Sequence, residues 1–180
     1  MAVQLNSNIM SMNITAVNTA DLQIQIQKLF SDYHPQSRVW IYQSYRDMNA
    51  AEEQNITAEL KNFCKTWTAH QIALRADALI LLHRFILLIV DEAVSGASGC
   101  SIDKSVHVIQ RIEQHYQMQL LNRLNLILLQ VDELHTATFS EVKNKLHHWQ
   151  DAYLFDNSIT SLQQLHTRWL IPVKDSYLVR

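Results

Sequence analysis

Leu79-Ile80-Leu81-Leu82-His83-Arg84-Phe85-Ile86-Leu87-Leu88-Ile89-Val90 is the stretch on which the fold turns. An apolar run alone does not separate a buried helix from buried strands. Here the run is broken in its middle by His83-Arg84, and its residues are bulky or β-branched. Such residues suit a pleated, buried surface. The stretch therefore reads as two strands joined by a tight turn near His83-Arg84, with a single helix as the rival reading. It is too short, and too charged at its centre, to span a membrane.

Working outward, Asp91-Glu92 end the run, and Ser95-Gly96-Ala97-Ser98-Gly99-Cys100-Ser101-Ile102-Asp103 follows. The chain has two glycines, Gly96 and Gly99, and both lie in this loop. From Ser101 to Gln117, Ile102, Val106, Ile109, Ile112 and Tyr116 share one helical face. Ser101 is the expected N-cap. A glycine-bearing turn between a buried strand and a helix N-terminus presents unpaired N–H groups, so it is a place to look for a ligand site.

Upstream, Ser37–Gln43 reads as a strand. Trp40 and Tyr42 alternate with Val39 and Ile41, so one pair must meet a second layer. Asn49 is placed to cap a helix running to about His70, with Ile56, Leu60, Phe63, Cys64 and Trp67 as its buried stripe. Asp21–Tyr33 alternates briefly like a strand but holds a longer helical pattern in Leu22, Ile26, Leu29 and Phe30, so a short helix is expected. Met1–Asn18 shows no sustained period. Residues 1–34 thus read as an N-terminal extension, partly disordered or a short helix, separated at Pro35 from a domain spanning 35–180.

Downstream, Leu124–Val131 reads as a strand, turning at Asp132-Glu133 into a hairpin partner over Leu134–Phe139. Ser140-Glu141 starts a short helix carrying Val142, Leu146 and Trp149. Tyr153–Phe155 is a short strand, and Thr160–Trp169 a last helical piece before Pro172. The expected class is α+β: a single domain with a mainly antiparallel sheet and helices packed against it.

At 180 residues the chain is long enough for a sizeable core. A net charge of −2 gives no global attraction to nucleic acid or to an acidic membrane surface. Two cysteines, one expected in a helix and one in a loop, make no disulfide framework and fit a reducing cytoplasm. Met1–Thr19 lacks the basic and apolar regions of a signal peptide.

Several phrases together resemble a small family of uncharacterised bacterial proteins often labelled "ABC transporter ATPase". They are Ser37–Gln43, Trp67-Thr68-Ala69-His70, Arg84-Phe85 through Val90-Asp91-Glu92, Ala97–Val106, Phe155-Asp156-Asn157 and Trp169…Pro172. The resemblance spans about Pro35 to the C-terminus. The family carries glycine after the histidine, where this chain has Gln71. The label implies nucleotide hydrolysis, and Ile86–Ser95 is similar to a Walker B strand, which delivers an Asp to Mg²⁺ and a Glu to the attacking water. A phosphate cradle needs Gly-x-x-x-x-Gly-Lys-Ser/Thr, and no glycine precedes Gly96. ATP hydrolysis is therefore not expected.

The candidate catalytic residues are Cys100, Asp91, Glu92 and Asp103. A thiol at a helix start is stabilised as thiolate, and paired carboxylates can act as acid and base or hold a metal. The candidate ligand-binding residues are Gly96, Ser98, Gly99 and Ser101. Each has a structural alternative: Cys100 as packing, Asp91 and Glu92 capping a turn, Ser101 capping a helix. No metal site is expected, because His107, His115, His147 and His148 lack a third ligand at suitable spacing. No cofactor can be named. The reading is a non-enzymatic domain binding a small anionic ligand or a protein partner, with a hydrolase or thiol-dependent transferase using Asp91–Asp103 as the alternative.

Overall fold

The computed structural model describes residues 18–93 and 96–179. The expectation of a weakly structured tail before Asn18 lies outside the described residues, as do Val94 and Ser95. The elements run α1 (Thr19–Ile26), β1 (Arg38–Gln43), α2 (Ala50–Thr66), β2 (Thr68–Ala69), β3 (Ile72–Ala73), β4 (Arg75–Leu81) and β5 (Phe85–Asp91). After the loop come α3 (Gly99–Tyr116), β6 (Asn125–Gln130), β7 (Glu133–Thr138), α4 (Phe139–Asn144), β8 (Tyr153–Phe155), α5 (Leu162–Arg168) and β9 (Leu170–Pro172). This is a single α+β domain with antiparallel sheets.

The decisive run is two strands. β4 and β5 pair antiparallel from Arg75↔Asp91 to Leu81↔Phe85, with β1 on the other side of β5. Every residue of β5 is buried, because both of its faces are covered. Side chains alternate across a strand. Phe85, Leu87 and Ile89 join Val39 and Ile41 in a core shared with Ile127, Leu129 and Phe155 of the second sheet. Ile86 and Leu88 join Tyr42 on the opposite face, where Ile56 and Leu60 of α2 and Ile109 and Ile112 of α3 cover them. The second layer required by Trp40 and Tyr42 is therefore the α2/α3 pair.

The second sheet has the order β7-β6-β8-β9. Its outer face, with Leu126, Leu128 and Leu154, is covered by Val142 of α4 and Leu178 near the C-terminus. Phe85, Phe155 and Trp169 meet between the sheets at centroid distances of 4.7–5.1 Å. Each such pair is worth about 0.5–1.5 kcal/mol beyond its area burial.

The segment before Pro35 is not peripheral to this core. Leu22, Ile26, Leu29 and Phe30 are buried in the same cluster as β1, β5 and α5. Arg75 reinforces the attachment by donating to the Asp32 carbonyl at 2.8 Å and to its carboxylate at 3.1 Å, and its guanidinium lies 4.6 Å over the Tyr33 ring. Pro35 is consequently a bend within the domain rather than its edge.

Other boundaries shift for local reasons. Asn49 caps α2 through a capping box with Glu52, but α2 ends at Thr66, because Trp67 is extended and a hairpin follows. That hairpin turns at His70-Gln71, with φ of 49° and 68°. The β6–β7 hairpin turns one residue earlier than read, at Val131-Asp132, with φ of 50° and 61°. Leu82 and His83 also have positive φ, and the Arg84 N–H closes their turn on the Leu81 carbonyl. The His70-Gln71 and Val131-Asp132 turns are two-residue hairpin loops, which need such φ values so that the turn matches the twist of the strands. Leu82-His83 lies in the three-residue loop between Leu81 and its partner Phe85. The helix around Ser140 starts at Phe139, capped by Thr138, and the last helix starts at Leu162. Leu170–Pro172, for which the sequence predicts no element, is a strand paired with β8.

Candidate functional site

Asp91 sits at the end of β5, only 7% exposed. Its Oδ2 takes a hydrogen bond from Arg75 Nη1 at 3.0 Å, and its Oδ1 accepts from the Ala93 N–H at 3.1 Å. Glu92 points the other way, exposed, as neighbouring residues on a strand must. Its Oε1 accepts from the Ala97 N–H at 3.0 Å and lies 3.6 Å from Arg38 Nη1. The two carboxylates thus serve different partners.

Ser98, not Ser101, is the N-cap of α3. The reason is Ser101's burial: it is 1% exposed, its hydroxyl donates to the Ser98 carbonyl at 2.8 Å, and its own carbonyl accepts Trp67 Nε1 at 2.8 Å. The buried face of α3 follows, with Ser101, Ser105, Val108, Ile109 and Ile112 inside, while Ile102, Val106 and Tyr116 are half-buried. Cys100 and Asp103 are exposed in the first turns. A Cβ on Gly96 would meet only Glu92 Oε1 at 3.8 Å, and one on Gly99 would meet nothing within 4 Å. Neither glycine has positive φ. Of the candidate residues, the structure brings Glu92 together with the Gly96–Ala97 backbone and Ser98 with Ser101, through contacts that fold the loop. Asp91 is drawn away toward Arg75, and Cys100 and Asp103 face outward. No group of side chains able to hold a metal ion occurs among the described residues.

A cleft lies elsewhere, at the free edge of β1. Its larger part, about 190 Å³, is lined by Arg38–Tyr42, Arg123 and Asn157–Thr160. A neighbouring part of about 130 Å³ shares Ile41, Tyr42, Arg123, Asn157 and Ser158, and adds Leu120, Leu121, Phe155 and Tyr177. The charged side chains in these linings are Arg38 and Arg123, with no carboxylate among them. Arg38 is occupied by Glu92 and by the Trp40 ring, 5.4 Å away. Arg123 is exposed.

The cleft is held open by polar contacts behind it. Trp169 Nε1 donates to Asn157 Oδ1 at 2.9 Å, Asn157 Nδ2 donates to Gln43 Oε1 at 2.7 Å, and Gln43 Nε2 donates to the Asn125 carbonyl. This relay ties β1 to the second sheet. Asp156, fully buried, accepts from the Ser158 N–H at 3.1 Å and from Arg168 Nη2 at 2.8 Å, which fixes the turn carrying Asn157. Burial pushes the Tyr42 phenol above its ordinary pKa against the opposing pull of the Arg123 charge and a hydrogen bond with Ser105, so Tyr42 stays protonated beside the cleft.

Sequence reading missed this cleft. Arg123 is one cation in a polar loop, and nothing local marks it. Asn157 had a faint signal, as the second of two polar residues that follow the strand Tyr153–Phe155. Comparison with family models, curated proteins and solved structures finds no match.

Proposed function

We propose that this chain is a binding domain for a small anionic ligand, seated in the cleft beside β1. One observation carries the reading: Arg123 stands in both parts of a cleft that has no carboxylate in its lining. An arginine at a concave site favours a carboxylate or phosphate group, which it can bind through two parallel hydrogen bonds. The rigid amide relay behind the cleft supports binding without rearrangement.

The loop candidates favour this reading over catalysis. Cys100, Asp103 and a carboxylate would have to converge on one reacting atom, whereas Asp91 is engaged by Arg75 and Ala93. The same ion pair counts against nucleotide hydrolysis by the family resembled here. A Walker B Asp must be open to Mg²⁺, and the sequence holds no phosphate cradle.

Thermal melting at low ionic strength, with acetate, phosphate and Mg-ATP added separately, tests the proposal. Acetate or phosphate should raise the melting temperature of the parent protein, and Arg123→Gln should remove the rise. Equal stabilisation of parent and variant would overturn the assignment of the cleft. Low-micromolar Mg-ATP binding would overturn the reading against nucleotide hydrolysis.

A further inference from the structure

β1 is an edge strand that acquires a partner and then loses it. Its Ser37 carbonyl accepts the Leu162 N–H at 2.9 Å, and the Val39 N–H donates to the Thr160 carbonyl at 3.0 Å, on either side of the bridge Arg38↔Ser161. An antiparallel ladder would next use the Val39 carbonyl and the Ile41 N–H. Neither bond forms. The Thr160 N–H turns instead to Gln164 Oε1 at 2.7 Å, and the Ser158 hydroxyl and N–H turn to Asp156. The 157–160 segment thereby peels away from β1, and the opening is the larger part of the cleft. Ser44 donates to the Arg84 carbonyl across β5, so the even-numbered amides of β1 face β5 and the odd-numbered ones face the opening. The Val39 carbonyl and Ile41 N–H therefore face the cleft with no partner among the described residues. Ile41 lines the cleft, so a ligand seated there would complete the bond that the interrupted ladder leaves unmade.

The geometry points to an acylated α-amino acid as the ligand, bound as a one-residue parallel strand on β1 with its carboxylate at Arg123. This rests on the anion-binding reading above and specifies its ligand. In a parallel pair, one residue uses its own N–H and its own C=O on the two groups that flank a single residue of the neighbour. Here the flanked residue is Trp40. The ligand N–H would meet the Val39 carbonyl, and a carboxylate oxygen would meet the Ile41 N–H. That direction sends the carboxylate toward the Tyr42 end of β1, where Arg123 is placed. A side chain in register with Trp40 lies on the α2/α3 side of the sheet. On that side Leu120 and Leu121 pack with the Trp40 and Tyr42 cluster and line the adjoining part of the cleft. The ligand side chain would accordingly be aliphatic. A phosphate alone would use Arg123 and leave the Val39 carbonyl unmatched. A free amino acid would bring a charged ammonium close to Arg123.

Calorimetric titration with N-acetyl-leucine tests this, followed on ¹⁵N-labelled protein through the Ile41 amide resonance. N-acetyl-leucine should bind and move that resonance. N-acetyl-leucinamide, which lacks the carboxylate, and N-acetyl-N-methyl-leucine, which lacks the N–H, should each bind at least tenfold more weakly. Arg123→Gln should cost about as much as removing the carboxylate, with an unchanged melting temperature. Acetyl-Ala-Ala-Leu separates two sources of the same chemistry: tighter binding assigns a peptide C-terminus, and equal binding a free acylated amino acid. If N-acetyl-leucine binds no better than acetate while both need Arg123, the strand-like mode is overturned and the anion site stands. If no anion binds, both fall.

Discussion

Ile26→Ala tests whether the segment before Pro35 is part of the core. Ile26 is 2% exposed and packs in the cluster that holds Phe85, Phe155 and Trp169. Truncating such a residue removes its transfer free energy and leaves a cavity, a cost of about 2–5 kcal/mol. In a domain of this size each kcal/mol moves the midpoint by about 2–4 °C. The expected fall is therefore roughly 10 °C, read by thermal circular dichroism or calorimetry. Ile24, on the same helix, is 50% exposed, and Ile24→Ala should stay within about 0.5 kcal/mol of the parent, as surface changes do. The pair removes any effect of helix propensity, since both replace isoleucine by alanine in α1. If Ile26→Ala melts within about 2 °C of the parent, as Ile24→Ala should, then α1 does not support the core and the packing argument is wrong.

Val131 holds φ of 50° in the β6–β7 turn and is 90% exposed; left-handed backbone is costly for a β-branched residue, and asparagine tolerates it. Val131→Asn loses no burial and should raise stability by about 1 kcal/mol, a midpoint shift of about 2–4 °C; an unchanged or lower midpoint would show that the turn carries no strain. Cys64 is buried, and desolvation pushes its thiol up to about 12, with Asp77 adding to the rise and Lys61 opposing it. At pH 8 it is protonated, so brief iodoacetamide treatment of native protein should label exposed Cys100 and spare Cys64; mass spectrometry showing equal labelling would contradict the burial. Glu52 is held below its ordinary value of 4.5, chiefly by the Arg46 hydrogen bond and also by the Asn49 N–H, against desolvation. Its contribution is present above the unfolded pKa and lost as pH falls through the depressed folded value, so Glu52→Gln should flatten the acid limb of stability below about pH 4.5; an unaltered limb would show that the pair contributes nothing.

The sequence by itself determined the class and most element positions, because these rest on local chemistry. The Leu79–Val90 run is two strands for the reasons visible in it: a polar interruption, bulky side chains and no glycine or proline. The α2 start was legible because a capping box is a contact between residues three apart. The β6–β7 hairpin was legible as two strands, although its turn was read one residue late. Its actual turn, Val131-Asp132, has none of the usual glycine signal. Among the described residues eight non-glycine positions have positive φ, and no glycine does. Six of the eight lie in hairpin turns, where the pairing of the flanking strands imposes them, and Gln117 caps the C-terminus of α3, so side-chain type could not reveal them.

Only the tertiary structure decided the rest. Whether α1 belongs to the domain depends on what its apolar face meets, and it meets strands far along the chain. The paired acids Asp91 and Glu92 look like one site in sequence. The fold sends the first to Arg75 and the second to the Ala97 N–H, because adjacent strand residues face opposite sides. The Gly96–Ser101 turn has the residues of an anion site, yet its hydroxyls cap and back-bond its own helix. The β1 cleft is the converse. Ile41, Arg123, Asn157 and Thr160 share no motif, and they are brought together only because one segment begins to pair with β1 and then diverges. A site made from a missing hydrogen bond has no signature in the residues that flank it, since every backbone carries the same N–H and C=O groups until the fold decides which of them are used.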